Sequence, residues 1–74
     1  MDYDTDKIDD MVLALLWLTE HEDGRAWKGH DWDAMDRLHQ KGYISVPRSK
    51  AKSVVFTEAG AKRSENLFKR YFCR

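Results

Sequence analysis

Ile8, Met11, Val12, Leu15, Leu16 and Thr19 recur at three-and-four spacing, which predicts a first helix. Leu13, Trp17 and Leu18 widen its apolar stripe almost all the way round. Such a helix is buried on most sides, as the central helix of the domain or as part of an oligomer contact. Thr5 and Asp6 are both acceptable N-caps. Asp6, Asp9 and Asp10 then fall in the first turn, where the helix dipole favours acids. Glu22-Asp23-Gly24 ends the helix, with Gly24 suited to the left-handed position after the last turn.

Arg25-Ala26-Trp27-Lys28-Gly29 reads as a loop or a brief extended strand. Asp31 caps a second helix, roughly residues 32–41, with Trp32, Met35, Leu38 and His39 at helical spacing and Gly42 closing it. Tyr43-Ile44-Ser45-Val46 reads as a strand stopped by Pro47. Arg48-Ser49-Lys50-Ala51 is turn-like, and the β-branched stretch Lys52-Ser53-Val54-Val55-Phe56-Thr57 is the returning strand. Thr57 caps the last helix, with Glu58 in its first turn. That helix sets Ala61, Ser64, Leu67, Phe68, Tyr71 and Phe72 against a polar face of Lys62, Arg63, Glu65, Lys69 and Arg70. The pattern predicts one small α+β domain over residues 1–74: three helices with a two-stranded β-hairpin between the second and third.

The 74 residues leave room for one core, and three each of Trp, Tyr and Phe argue against disorder. Cys73 is the single cysteine, so the chain cannot close an internal disulfide. The longest apolar run, residues 11–18, is far short of the ~20 residues of a membrane span. The acidic start Met1-Asp2-Tyr3-Asp4-Thr5-Asp6 does not resemble a signal peptide, and the cytoplasm is the default location. The net charge of zero hides an asymmetry: residues 1–37 hold eleven acids and four bases, residues 38–74 two acids and nine bases. The basic half can face nucleic acid or an acidic protein; equally, the two halves can face each other, within one copy or between copies.

Candidate chemistry is sparse. His21, His30 and His39 are evenly spaced by nine, which matches no metal-ligand pattern. Carboxylates in first helical turns already have a structural explanation, and no glycine loop suited to phosphate is present. Cys73 lies beside Arg70 and Arg74 at a chain end that cannot hold a base in register. A chain this short has little space for a walled pocket of ~300 Å³ or more. Neither an enzyme nor a cofactor is expected. Trp27 and Trp32 either close over the core or, with Arg25 and Lys28, form an exposed aromatic and cationic patch for a partner. Leu67, Phe68, Tyr71 and Phe72 either pack on the first helix, giving a monomer, or form the contact of a symmetric homodimer.

Two stretches carry a family likeness. Met35-Asp36-Arg37-Leu38-His39-Gln40-Lys41-Gly42-Tyr43-Ile44 resembles the end of a winged-helix recognition helix and its entry into the wing. Val55-Phe56-Thr57-Glu58-Ala59-Gly60 resembles the second wing strand and the start of the next helix. In multiple-antibiotic-resistance-type and phenolic-acid-type repressors that helix begins Thr-x-x-Gly and often helps to dimerise. The likeness covers about residues 32–72. The middle helix of that fold is missing or reduced to a turn here, and Asp31, Asp33 and Asp36 stand on the helix that would enter the major groove. The whole chain also resembles a family of small bacterial proteins of unknown function. That likeness is carried by Asp6-Lys7-Ile8-Asp9, Gly24-Arg25-Ala26-Trp27-Lys28-Gly29, Asp31-Trp32-Asp33-Ala34 and Lys50-Ala51-Lys52-Ser53-Val54-Val55.

The winged-helix resemblance implies a non-enzymatic binding module of the DNA-binding, transcription-regulator kind. Arg48, Lys50 and Lys52 on the wing would contact duplex phosphates, helped by Lys41 and Arg37. The alternative is a protein-interaction module that keeps the shape and has lost DNA. It would use the acidic half and the Trp27 and Trp32 surface.

Overall fold

The computed structural model describes residues 1–20, 24–27, 29–48 and 53–74. Three helices and two strands follow in the order α1 (Thr5–Leu18), β1 (Arg25–Trp27), α2 (Trp32–Gln40), β2 (Ser53–Val55) and α3 (Glu58–Phe72). The predicted α+β class, with three helices and a two-stranded antiparallel sheet, is the observed one. The molecule measures 32 × 31 × 19 Å, and its thin dimension admits two layers of structure around one core.

Local chemistry sets most boundaries. Asp31 caps α2 by accepting the Ala34 N–H at 3.1 Å, and Thr57 caps α3 by accepting the Gly60 N–H at 3.0 Å. Gly42 adopts φ +83° after α2, a conformation that glycine takes without a Cβ clash. α1 differs from expectation at both ends. Its cap is Asp4, one residue before Thr5, whose carboxylate accepts the Lys7 N–H at 3.1 Å. Its last residue is Leu18, because Thr19 closes the ladder: its N–H donates to the Leu15 and Leu16 carbonyls, and its hydroxyl donates to Leu16. Gly24 therefore leads into β1 rather than closing the helix.

β2 finds its regular partner in β1, pairing Arg25 with Val55, Ala26 with Val54 and Trp27 with Ser53. This realises the extended-strand reading of residues 25–27. The hairpin between α2 and α3 is shorter than the predicted strands. It closes through the antiparallel Ile44–Phe56 bridge, while the Ser45 N–H donates to the Val55 carbonyl. The Val55 N–H is taken by the Ser45 hydroxyl oxygen rather than by a backbone carbonyl, which stops the ladder there. Pro47, buried just beyond, has no N–H with which to restart it.

The core joins Leu13, Ala14 and Leu16 of α1, Met35 and Leu38 of α2, Ala26, Val54, Ile44 and Phe56 of the sheet region, and Leu67 of α3. Trp17 packs at its edge against Phe68, with ring centroids 4.9 Å apart. The buried row of α1 is Asp9-Leu13-Leu16, and Leu15 and Leu18, counted in the predicted apolar stripe, are 36% and 60% exposed. A helix apolar nearly all round leaves its buried side to be chosen by its neighbours. Here that side carries a carboxylate, because Arg37 of α2 and Lys41, the C-cap residue just after it, meet it.

Gly60 marks the closest packing in the fold. A Cβ there would fall inside the contact radius of the Tyr43 carbonyl oxygen, 2.7 Å from its carbon and 2.9 Å from Tyr43 Cα. The same approach lets the Thr57 N–H donate to the Tyr43 carbonyl at 3.0 Å and the Thr57 hydroxyl donate to the Gly42 carbonyl at 2.6 Å. The Thr-x-x-Gly start of α3 is thus both a cap and a docking point for the chain leaving α2.

Candidate functional site

α2 places its charged residues on two sides. Arg37 and Lys41, one turn apart, reach α1. The Arg37 Nε donates to both carboxylate oxygens of Asp9, at 3.0 and 2.8 Å, and its Nη2 donates to Oδ1 at 2.8 Å. The Lys41 ammonium donates to Asp9 Oδ2 at 2.9 Å and to Asp6 at 3.0 Å. Asp9 is fully buried. Burial alone would push its pKa up; the hydrogen bonds and charges of Arg37 and Lys41 outweigh that and hold it below the usual aspartate value. The cluster ties α1 to α2.

The outer side of α2 presents Trp32, Asp33 and Asp36. Trp32 and Asp36 lie one turn apart, and Arg48 from the loop after Pro47 folds back over both. Its Nη2 donates to Asp36 Oδ2 at 2.7 Å, its Nε is 3.2 Å from both carboxylate oxygens, and its guanidinium carbon lies 5.2 Å from the Trp32 ring centroid. The hydrogen bond from Arg48 holds the Asp36 carboxyl below its ordinary pKa. Trp32 remains 47% exposed and Asp33 is exposed. The face is an aromatic ring bordered by carboxylates, with one cation already bound.

The other nominated residues are dispersed. Lys28, Lys50 and Lys52, and the side chain of Trp27, lie outside the described residues. Arg25 is exposed on β1. Of the four α3 residues proposed for a dimer contact, Leu67 is taken into the protomer's own core and Phe68 packs between Trp17 and Phe72. Tyr71 and Phe72 stay exposed. Sequence reasoning places Asp9 only in the first turn of α1, where the dipole favours it, and misses its burial. The signal was present: it sits four and seven residues before Leu13 and Leu16, so a core-facing carboxylate needed cations, and Arg37 and Lys41 form a one-turn pair.

Among the described residues no group of three or more His, Cys, Asp or Glu is arranged to hold a metal ion. The His39 Nδ1 lies 3.0 Å from the Ile44 carbonyl oxygen. No helix of the described residues is long and apolar enough to cross a membrane.

Comparison with known proteins places this arrangement in a family. A family model described as a domain of unknown function, DUF6429, matches residues 4–74. The uncharacterized protein y4hR of Sinorhizobium fredii is 58% identical over 74 residues, covering the whole of both chains. No solved structure matches the chain. The whole-chain likeness to small bacterial proteins of unknown function is therefore confirmed: the chain belongs to the DUF6429 family.

Proposed function

We propose that this chain is a non-enzymatic protein-interaction module, a reduced winged helix that no longer reads duplex DNA, and that it works through the outer face of α2. The connectivity supports the winged-helix part: β2 lies between β1 and the segment leaving α2, and α3 follows with its Thr-x-x-Gly start. The observation that carries the functional part is the pairing of Arg37, Lys41 and Arg48 with Asp9, Asp6 and Asp36. These are the described ones among the cations expected to contact a duplex, and each would have to leave a carboxylate first. The face left outward carries Asp33, Asp36 and Trp32, and a duplex with one phosphate per ~1.7 Å would repel its carboxylates. The partner it suits is a protein surface with cations around an apolar hollow, the hollow receiving the exposed part of Trp32 and the cations meeting Asp33, beside the Asp36–Arg48 pair.

Two assays test this reading. Anisotropy of a labelled generic duplex at about 50 and about 200 mM salt is expected to show no binding up to about 100 μM protein. Salt-sensitive binding that disappears in an Arg48→Ala, Lys50→Ala, Lys52→Ala variant would overturn it and return the wing to DNA. Proteins recovered from a bacterial extract by the wild-type chain are expected to be lost by Trp32→Ala and Asp33→Lys; identical recovery would also overturn it.

A further inference from the structure

The hollow that suits Trp32 has a counterpart on this chain. A groove runs along α3 between Tyr43 and the helix, with Leu67 among its lining and Lys62, Arg63, Asn66 and Arg70 around it. Lys62, Asn66 and Arg70 stand on successive turns, so they form one row. Lys62 and Arg70 have no carboxylate partner among the described residues, unlike Arg37, Lys41, Arg48, Arg63 and Lys69. Arg70 lies over the Tyr71 ring at 5.3 Å, and Arg63 spans from Asp10, at 3.0 Å, to the Tyr43 ring. The groove is thus apolar within and cationic at its rim, the inverse of the aromatic and acidic face of α2.

We infer that the partner of the α2 face is a second copy of this chain, with Trp32 and Asp33 of each copy, flanked by the Asp36–Arg48 pair, seated against the α3 groove of the other. The inference rests on the reading of α2 as an interaction face. Trp32 opens α2 and Tyr43, which lines the groove, follows its end by three residues, so α2 joins the two patches along the chain. A two-fold axis between them makes both contacts at once and closes the pair without leaving an open end. The charge division agrees: the acidic half of the sequence contributes one patch and the basic half the other, while zero net charge removes the overall repulsion between copies.

Sedimentation velocity of the full chain tests this. A dimer is expected at about 50 mM salt, with its dissociation constant rising about tenfold or more at about 500 mM as the charges are screened. Lys62→Glu with Arg70→Glu, and separately Asp33→Lys with Asp36→Lys, are expected to sediment as monomers with unchanged far-UV circular dichroism. Mixing the two variants is expected to restore a heterodimer, since the reversed groove then meets the reversed face and the native groove the native face. Trp32→Ala is expected to weaken the dimer without altering charge. A chain monomeric throughout would overturn the inference. So would a dimer indifferent to these charges and lost in Tyr71→Ala with Phe72→Ala. If Trp32→Ala still loses an extract partner in either case, the interaction reading stands and only the identity of the partner has failed.

Discussion

Replacing Gly60 by alanine opposes two effects of known sign. Helix propensity alone favours alanine inside α3 by about 1 kcal/mol. Packing opposes it: the new methyl would overlap the Tyr43 carbonyl, so α3 and the segment after Gly42 must separate until ordinary contact beyond 3.4 Å returns. Overpacking of this kind costs about 1–3 kcal/mol. The retreat also pulls on the Thr57 bonds to Tyr43 and Gly42, at roughly 0.5–1.5 kcal/mol each. The net expectation is a loss of about 2–3 kcal/mol, most of the ~3–5 kcal/mol that a core of this size supplies. With a urea m-value of about 1 kcal/mol/M, the midpoint falls by about 2–3 M. Urea titration followed by far-UV circular dichroism and tryptophan fluorescence reads this directly. Lys69→Ala, at an exposed site on the same helix outside the groove, serves as the control and should stay within about 0.5 kcal/mol of wild type. A Gly60→Ala midpoint equal to or above wild type would refute the close approach and leave propensity in command.

Three further outcomes are expected. Asp9→Asn should destabilise by about 1–3 kcal/mol, less than the ~3–5 of a wholly buried pair because Arg37 and Lys41 are 30% and 32% exposed and can rehydrate. The folded-state pKa of Asp9 lies below 3.8, so its contribution is present above that value and lost as pH falls through the folded pKa; an acid titration of stability should flatten there in the variant. Gly42→Val should cost about 1–2 kcal/mol by thermal melting although nothing lies within 4 Å of the site, because φ is +83°, and Gly42→Asn should cost less. Thr57→Ala should lose about 1 kcal/mol or more, removing the α3 cap and the bond to the Gly42 carbonyl together, whereas Thr57→Ser should retain both in the same melt.

The caps of α2 and α3, the glycine turn after α2 and the number of helices were legible in the sequence because each depends on residues within a few positions of one another. A side chain such as Asp31 or Thr57 reaches the N–H three residues on whatever the rest of the chain does. Which side of α1 is buried was not legible. Its apolar residues run almost all round, and the choice of Asp9 over Leu15 and Leu18 was made by Arg37 and Lys41, twenty-eight and thirty-two residues away. Likewise β2 could pair along the hairpin or with residues 25–27. Tertiary placement gave the regular ladder to β1 and left the hairpin, among the described residues, one bridge and the Ser45 bonds. Arg48, Lys50 and Lys52 stand close together in the sequence, yet sequence carries no distances. Folding set Arg37, Lys41 and Arg48 within about 3 Å of carboxylates and left Lys62 and Arg70 on α3 without one among the described residues. Local hydrogen bonding wrote the elements, and long-range charge pairing and packing decided which surfaces remained exposed.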